Sequence, residues 1–335
     1  MRIYPVFIPH AGCPYRCVYC RQQALCGQAV PANPDEVAAF LDGVLPVRGD
    51  GEIAFYGGTF TLLDKELSRA YLAVAAFFVD RGRVSGVRVS TRPDALEDTA
   101  VAALQVGGVT TVEIGCQSFS DAVLLRAGRG HGATEAEGAV RRLRGAGLNV
   151  GLQLMPGLPG GDRKEALFSL DRALALAPDF VRIYPTVVLS ETPLEAAFRA
   201  GTYRPMDLDE AVDLGADMLW RCHRAGVAVI RHGLQASPEL DDGSARVAGP
   251  YHPAFGQLVR SRLWLRALER CAATGKDRRA LVHPADFSDA RGHGNGNLAL
   301  LTKEFGSFDI VSHREVPRQQ LLTNGRLLSL MDAAQ

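Results

Sequence analysis

Residues 12–20 read GCPYRCVYC, so that Cys13, Cys17 and Cys20 stand at spacings of four and three residues. The run follows a short apolar stretch, Ile3–Ile8, which has the pattern of a β-strand. Structural zinc sites usually take four ligands from paired C-x-x-C units, and the sequence has no second pair. A cubane iron–sulfur cluster fits this spacing better, because three thiolates would leave one iron open for chemistry.

The other four cysteines lie apart from this run. Cys26 follows it by six residues and is a candidate fourth ligand, although a lone neighbouring cysteine matches no recognised metal spacing. Cys116, Cys222 and Cys271 stand singly in predicted strands or helices, where we expect them to be core residues. An odd number of unevenly spread cysteines in a long chain argues against a disulfide framework.

Composition excludes several classes of protein. The chain has 335 residues, 47% of them hydrophobic, which suggests one large domain or two ordinary ones. It carries 37 basic and 37 acidic residues, so its overall charge demands no nucleic acid and no anionic membrane as partner. The longest apolar run, LAVAAFFV at residues 72–79, is too short to span a bilayer. These features predict a cytoplasmic protein with no membrane association.

Strand-like and helix-like stretches alternate from the N-terminus to about residue 234. The predicted strands are Ile3–Ile8, Ile53–Tyr56, Val87–Ser90, Val112–Gln117, Val150–Met155, Phe180–Tyr184 and, with a weaker pattern, Val227–Arg231. Such repetition indicates a parallel sheet. Four successive strands have one apolar and one polar face, whereas strands of a doubly wound sheet are apolar on both faces. We therefore expect a barrel, whole or partial, whose polar interior holds a polar ligand.

The pattern changes after about residue 235. Residues 236–257 form a long Gly- and Pro-rich connection. A predicted helix, Phe255–Thr274, follows, and then a small unit with a strand at 280–284, a glycine-rich turn at 291–297, a helix at 298–306 and a strand at 308–313. The sequence thus predicts a barrel domain over residues 1–235 and a C-terminal accessory region, with a small α/β subdomain, over residues 236–335.

The cysteine run, with an aromatic residue before its last cysteine, resembles the radical S-adenosylmethionine (radical SAM) superfamily. The motifs FYGGTF at 55–60, STRPD at 90–94, EIGCQSFSDAVL at 113–124, RGH at 129–131, MPGLPG at 155–160 and IYPT at 183–186 are similar to the radical SAM domain of the Elongator catalytic subunit and its bacterial relatives. The resemblance implies an α/β fold, a partial (β/α)6 TIM-like barrel. It also implies a [4Fe-4S] cluster on Cys13, Cys17 and Cys20, whose open iron binds SAM.

The resemblance also assigns roles at the SAM site. It implies that Tyr19 packs near the adenine and that the backbone at Gly57, Gly58 and Thr59 receives the SAM amino group. Glu113 and Gln117 would hydrogen-bond the ribose or the methionine, and Arg129 would contact the carboxylate. Further contacts would come from Ser90 of the STRPD motif, from Gln153 beside the adenine, and from Tyr184 of the IYPT motif.

The printed sequence has no stretch after the barrel long enough for the Elongator acetyltransferase domain and no long basic arm before it, so we expect a departure from the Elongator pattern. Three functions therefore stay open. The first is a radical SAM enzyme that modifies RNA, such as a transfer RNA base. The second is a radical SAM enzyme acting on a small metabolite, like the oxygen-independent coproporphyrinogen oxidases. The third is a non-catalytic metal-binding or redox-sensing module. Catalysis would need an electron donor such as flavodoxin or ferredoxin.

Two local features bear on the substrate. Residues 251–279 contain seven arginines and lysines against Glu269 and Asp277, a surplus of five positive charges that suits RNA phosphates or a solvated helix face. The run RGHGNGN at 291–297 suits a phosphate cradle at the start of a helix, or simply a flexible turn.

Overall fold

A computed structural model describes residues 2–22, 32–275 and 278–334 of the chain. Cys26, Lys276 and Asp277 therefore lie outside the described residues. The chain forms two compact units. The first contains residues 1–206 and 235–250, and the second contains residues 207–234 and 251–335. The division into domains at residue 235 stays a prediction.

Parallel strands form the centre of the first unit. Six strands pair in chain order, each parallel to the next. They are β1 (Ile3–Phe7), β2 (Glu52–Tyr56), β3 (Gly86–Thr91), β4 (Val109–Gln117), β5 (Asn149–Leu154) and β6 (Phe180–Ile183). The helices between them are α1 (Pro34–Val44), α2 (Lys65–Asp80), α3 (Asp98–Val106), α4 (Asp121–Arg126), α5 (Ala133–Gly145) and α6 (Arg163–Ala175). The predicted fold, an α/β partial (β/α)6 TIM-like barrel, is confirmed.

Local signals explain where these helices begin. At the start of α1, the side chain of Asn33 accepts a hydrogen bond from the Glu36 amide, and the Glu36 side chain accepts one from the Asn33 amide. Pro34 occupies the first turn, where it loses no helical hydrogen bond. Asn33 and Pro34 therefore define where α1 begins.

The two faces of this sheet differ as the alternation predicts. Apolar side chains from β2 to β6 point to one face, where they are at most 1% exposed: Ile53, Phe55, Val87, Val89, Val112, Ile114, Val150, Leu152, Leu154, Val181 and Ile183. The opposite face, called here the lumen face, carries Glu52, Tyr56, Arg88, Ser90, Glu113, Gln153, Phe180 and Arg182. Strand pairing puts Ser90 beside Glu113, and Gln153 beside Arg182. The polar side chains thus meet on one surface.

The first unit ends in a feature that the sequence did not reveal. A short antiparallel ribbon joins β7 (Val188–Leu189) to β9 (Arg246–Ala248), and α7 (Pro193–Arg199) and the short α9 (Pro238–Asp241) flank it. Part of the Gly- and Pro-rich connection therefore pairs with the segment that follows β6. Val188 packs with Cys17, Tyr19 and Leu194 in a small apolar cluster. The ribbon and α7 support the loop that carries the cysteines.

The second unit is built on two long helices, α8 (Leu208–Arg224) and α10 (Phe255–Thr274). The observed bounds of α10 are those predicted. The unit also contains β8 (Ala228–His232), β10 (Arg279–Val282), α11 (Phe287–Arg291), α12 (Gly296–Phe305), β11 (Asp309–Ser312), β12 (Gln320–Thr323), β13 (Arg326–Ser329) and α13 (Leu330–Ala333). Four strands form a sheet in the order β11, β10, β12, β13, in which only β10 and β11 are parallel.

The glycine-rich run at 291–297 is a packed turn. The Asn297 side chain is 7% exposed and donates hydrogen bonds to the carbonyl oxygens of Ser261, at 2.8 Å, and Ala290, at 3.1 Å. Gly292 has φ +81°, and a Cβ there would collide with Asn297. The Asn297 side chain therefore holds the end of the run against α10 and α11, while residues 293–296 are exposed. None of the helices in the described ranges is long and apolar enough to cross a membrane.

Candidate functional site

The cysteine loop leaves the carboxyl end of β1 and folds back against the end of β2. The Cys13 amide donates to the His10 carbonyl oxygen, and the Cys13 sulfur lies 3.3 Å from the Thr59 hydroxyl. Gly12 has φ +70°, and a Cβ there would collide with the Thr59 carbonyl oxygen. The glycine therefore permits close packing of the loop on the turn after β2.

The glycine pair after β2 serves this packing. Gly57 has φ +92°, a conformation that residues with side chains rarely adopt. A Cβ on Gly58 would collide with the carbonyl oxygens of Ala11 and Ile8. The Thr59 amide donates a 2.8 Å hydrogen bond to the Ala11 carbonyl oxygen, and Thr59 is 1% exposed. Gly57, Gly58 and Thr59 thus lie directly against the cysteine loop, where the sequence predicted a ligand-binding turn.

The three thiols of the run lie within electrostatic reach of one another. Cys17 is 8% exposed, and Cys13 and Cys20 are partly buried. Burial raises the pKa of the Cys20 thiol to about 12, with further contributions from Cys17 and Cys13. The Gln22 side chain lies 3.7 Å from the Cys20 sulfur. A metal centre that binds these sulfurs would replace their protons, because the thiolate is the ligand form.

This donor set suits a cluster better than a single ion. Within residues 2–22, 32–275 and 278–334, no three His, Cys, Asp or Glu side chains are grouped closely enough to hold one metal ion. A [4Fe-4S] cubane has irons at four alternate corners and sulfides at the other four, and each thiolate binds a different iron, so its thiolates lie further apart than those on one ion. Three soft sulfur donors on one loop, with polar hydrogen-bond donors beside them, fit a [4Fe-4S] cluster held at three corners.

Arg129 reaches the same loop from the turn between α4 and α5. Its Nη1 donates to the Cys17 sulfur at 3.2 Å and lies 3.4 Å from the Tyr19 hydroxyl. Its Nη2 donates to the Gly115 carbonyl oxygen at 2.5 Å, and its Nε donates to His131 Nε2 at 3.2 Å. Burial alone would lower the pKa of Arg129, but the nearby Tyr19 and Cys17 side chains raise it above its ordinary value. The residue is a buried cation, 6% exposed, at the cysteine loop.

Glu113, predicted to contact SAM, is held by the protein itself. One of its oxygens accepts hydrogen bonds from Arg88 Nη1 at 2.6 Å and from the Tyr56 hydroxyl at 2.9 Å. Its other oxygen lies 3.0 Å from Arg182 Nε. Arg182 also donates to the hydroxyls of Tyr56, at 2.6 Å, and Tyr184, at 3.0 Å. A ligand that contacted Glu113 directly would share its carboxylate with these partners.

The polar contacts around Glu113 continue along the lumen face towards the amino ends of the strands. Arg88 forms a buried ion pair with Glu52, and Thr111 donates to the other Glu52 oxygen at 2.7 Å. The Arg88 guanidinium lies 4.6 Å from the centroid of the Phe180 ring. A Cβ on Gly151 would collide with that ring. Phe180 therefore fills the lumen face at the amino end of the strands and leaves the carboxyl end for a ligand.

The remaining predicted residues lie at that carboxyl end. Gln117 has φ +68°, and its side-chain oxygen accepts a 3.3 Å hydrogen bond from Gln153 Nε2. Tyr19 is 9% exposed, and burial raises the pKa of its hydroxyl. Ser90 lies beside Glu113 by strand pairing.

The three cysteines predicted to be core residues, Cys116, Cys222 and Cys271, are at most 7% exposed, as predicted.

Sequence reasoning did not single out several residues at this site. Tyr56, Arg88 and Glu52 complete the buried ion-pair network around Glu113. Arg92 donates two hydrogen bonds to Asp94, at 3.0 and 2.9 Å, and a third to the Arg129 carbonyl oxygen. Burial, and then Arg129, lower the pKa of His131 to about 4, so its ring is neutral at pH 7. Period-two alternation places Glu52, Tyr56 and Arg88 on the polar face and was the signal that could have found them.

The basic segment of α10 is largely paired with acids in the second unit. Arg262 contacts Asp209 at 2.8 Å and Asp213 at 3.3 Å. Arg266 contacts Asp213 and Asp217, both on α8, at 2.5 and 2.7 Å. Arg260 lies 2.6 Å from Asp289 of α11, so these three arginines are already matched by carboxylates. The surplus of five charges along the sequence is therefore much smaller in space.

Comparison with protein families identifies the fold and its superfamily. The model of the radical SAM superfamily matches residues 7–173, and the model of the radical SAM C-terminal domain matches residues 178–264. The chain belongs to the radical SAM superfamily. The match begins at residue 7, the last residue of β1, and so includes the whole cysteine loop.

The relatives of this chain include tRNA-modifying enzymes and a heme chaperone. A tRNA uridine(34) acetyltransferase of Dehalococcoides mccartyi is 28% identical over 244 residues, 62% of this chain and 53% of that protein. One of Methanocaldococcus jannaschii is 32% identical over 129 residues, 38% of this chain and 24% of that protein. The heme chaperone HemW of Escherichia coli is 30% identical over 201 residues, 56% of this chain and 51% of that protein. The matches span from a quarter to about half of these relatives' lengths.

A solved structure agrees with the fold. The archaeal Elp3 of Methanocaldococcus infernus, with an N-terminal deletion, superposes with a TM-score of 0.59 at 21% identity. The superposition covers 77% of this chain and 61% of that one. The likeness supports the fold of the barrel.

Proposed function

We propose that this chain is a radical SAM enzyme that holds a [4Fe-4S] cluster through Cys13, Cys17 and Cys20. The observation that carries the proposal is the packing of the cysteine loop against the turn at Gly57 and Gly58, at the carboxyl edge of the parallel strands. When bound, the cluster supplies one electron that cleaves SAM to methionine and a 5′-deoxyadenosyl radical, which takes hydrogen from the substrate.

The side chains around the loop would bind and orient SAM. The backbone at Gly57, Gly58 and Thr59 borders the loop closely enough to receive the amino group of a ligand there. Gln117 and Gln153 offer amide donors and acceptors at the carboxyl end of β4 and β5. These groups would orient the bound ligand for reaction and exclude water from it.

The lumen face would complete the site from below. Arg182 ties together Glu113, Tyr56 and Tyr184. Ser90 and Tyr184 are proposed SAM contacts at this level. Glu113 would contribute by holding Arg182 and Tyr56 in place, and any contact of its carboxylate with SAM would be shared with those partners. Polar groups that bind one another in this way hold a site rigid before the ligand binds.

We further propose RNA, in particular a transfer RNA base, as the substrate, with a flavodoxin or ferredoxin as electron donor. Support comes from two curated relatives that are tRNA uridine(34) acetyltransferases. The matches cover 38% and 62% of this chain, and acetyl transfer is not part of the proposal.

A small-metabolite substrate is the second candidate, because one observation favours it. The arginines of α10 that would attract RNA phosphates, Arg260, Arg262 and Arg266, are paired with aspartates. A paired arginine attracts phosphate weakly, since the phosphate must displace the carboxylate. A third candidate, a non-catalytic cluster-binding module, shares the cysteine loop and differs in lacking SAM cleavage.

One experiment separates the three candidates. The protein is reconstituted anaerobically with iron and sulfide and incubated with SAM and a reductant, with transfer RNA, with a metabolite extract, or alone. We expect 5′-deoxyadenosine above background, stimulated by transfer RNA. Stimulation by the extract alone would select the metabolite candidate, and a cluster with no 5′-deoxyadenosine would select the non-catalytic module. Cys17→Ala should abolish cluster uptake, whereas Cys271→Ala, in the core of the second unit, should not.

A further inference from the structure

Arg129 holds the sulfur of one cysteine in the loop, and this contact has a consequence beyond SAM binding. We propose that the Arg129 guanidinium donates a hydrogen bond to the Cys17 thiolate when that thiolate ligates the cluster, and thereby raises the reduction potential of the cluster. The inference rests on the proposed function, because it requires a cluster on Cys17. It assigns Arg129 a role different from the predicted contact with the SAM carboxylate.

The geometry of the guanidinium supports a fixed contact. Nη1 lies 3.2 Å from the Cys17 sulfur, within the hydrogen-bond range for sulfur acceptors. On its other two nitrogens, Arg129 donates to the Gly115 carbonyl oxygen and to His131 Nε2. A Cβ on Gly115 would lie 3.3 Å from Arg129 Nη2, so glycine makes room for this approach. Three nitrogens held by three partners leave the guanidinium little freedom to turn away.

The surroundings fix the backbone and the charge of Arg129 as well. Arg92 donates a hydrogen bond to the Arg129 carbonyl oxygen and is itself held by two bonds to Asp94. His131 accepts from Arg129 through Nε2, which places its own proton on Nδ1, 3.2 Å from the Gly132 carbonyl oxygen. His131 is thus a positioning residue. Arg129 remains a cation, because a guanidinium keeps its proton throughout the accessible pH range.

Electrostatics give the direction of the effect. Reduction adds one negative charge to the cluster and its thiolates. A buried cation at hydrogen-bond distance stabilises the reduced form more than the oxidised form, since little water screens the interaction. Hydrogen bonds to ligating sulfurs act in the same direction and tune the potential of iron–sulfur centres. Removal of Arg129 should therefore make the cluster harder to reduce.

The test is a redox titration followed by electron paramagnetic resonance on reconstituted protein without SAM. In the absence of SAM, a role of Arg129 in binding the SAM carboxylate cannot contribute to the result. We compare wild type with R129M, which removes charge and donors, and R129K, which keeps the charge but not the fork. Arg182→Met serves as the matched control, because Arg182 is also a partly buried arginine of the same unit but contacts Glu113 and two tyrosines instead of a cysteine.

The expected result is a midpoint potential that becomes more negative in the order wild type, R129K, R129M, with R182M close to wild type. Iron content and circular dichroism confirm that each variant is folded and loaded. If R129M titrates at the wild-type potential, or if R182M shifts it as much, the inference is wrong while the proposed function stands. If R129M takes up no cluster, the inference is tested on R129K instead, and a wild-type potential in R129K shows that it is wrong. If the wild-type protein takes up no cluster, both the proposed function and the inference are wrong.

Discussion

Two networks of arginine and carboxylate, one in each unit, have the same chemistry in opposite surroundings. In the first unit, Arg88 lies between Glu52 and Glu113, and all three side chains are 4% exposed. In the second unit, Arg266 lies between Asp213 and Asp217, and these side chains are 26% to 35% exposed. Alternation along the strands places the residues of the first network on the polar face of the sheet but does not show that they pair. In the second network, a count of arginines along α10 does not show the aspartates that pair with them.

The difference shows what each network can do. A buried charge must be matched within the protein, because removing its partner leaves an ion out of contact with water. The lumen network therefore fixes the shape of the site. A half-exposed pair competes with water and salt and contributes little to stability. The second network belongs to a larger set of ion pairs, called here the α10 network, which neutralises a surface that the sequence alone suggested for RNA. Its members are Arg260, Arg262, Arg266, Asp209, Asp213, Asp217 and Asp289.

The largest expected effect is at Arg88. R88M leaves Glu52 and Glu113 buried without their cation, and we expect the first unit to lose about 3–5 kcal/mol of its free energy of unfolding. Because both tryptophans, Trp220 and Trp264, lie in the second unit, far-UV circular dichroism during urea unfolding is the measurement. The double variant E52Q/R88M should recover part of the loss. A loss below about 1 kcal/mol in R88M would show that the network is not closed to water.

An intermediate effect is expected from His232, next to the α10 network. Burial, and then Arg260, lower its pKa to about 3, and its Nε2 is buried without a hydrogen-bond partner among the described residues. As the pH falls below 6.5, His232 therefore binds a proton in the unfolded state but stays neutral in the folded state. The contribution of neutral His232 to the free energy of unfolding is therefore fully present above pH 6.5. At pH 5 the free energy of unfolding of the second unit should be lower by about 2 kcal/mol.

Tryptophan fluorescence during urea unfolding at pH 7 and pH 5 measures this change. In His232→Gln the difference between the two pH values should shrink by most of that amount. His223→Gln, on the exposed end of α8, is the control and should leave the difference as it is. An unchanged pH dependence in His232→Gln would assign the effect to other groups.

The smallest effect is expected at Arg266. R266M should lower the free energy of unfolding of the second unit by about 0–1 kcal/mol, because its ion pairs are partly exposed. The cost should decrease further in high salt, which screens exposed charges. Tryptophan fluorescence during unfolding at low and high sodium chloride measures both. A cost as large as that of R88M would remove the contrast between the two networks.

The sequence predicts repetitive elements well because their signals are local. The bounds of α10 are those observed, and the six parallel strands agree within a few residues, since alternation and capping act over short distances. The fold class followed from these signals. The contacts of the predicted site residues needed the structure, because a sequence shows neither the partner of Arg129 nor those of Glu113.

Two elements were missed for different reasons. The β7 and β9 ribbon pairs segments more than fifty residues apart, which no local pattern indicates. The hairpin of β12 and β13 was readable, because Asn324 and Gly325, with φ of +50° and +68°, suit a tight two-residue turn. The acids that match α10 stand on α8 and α11, distant in sequence, so a count of charge within one segment misjudged the surface.

The central claim is that three thiolates, and no fourth protein ligand, hold the cluster and leave one iron open. It is tested most directly by electron paramagnetic resonance of the reduced, reconstituted protein before and after SAM is added, in wild type and in Cys26→Ala. We predict the same cluster signal in both proteins and the same change of the signal on adding SAM. A signal that ignores SAM in wild type, or a cluster lost in Cys26→Ala, would contradict the account.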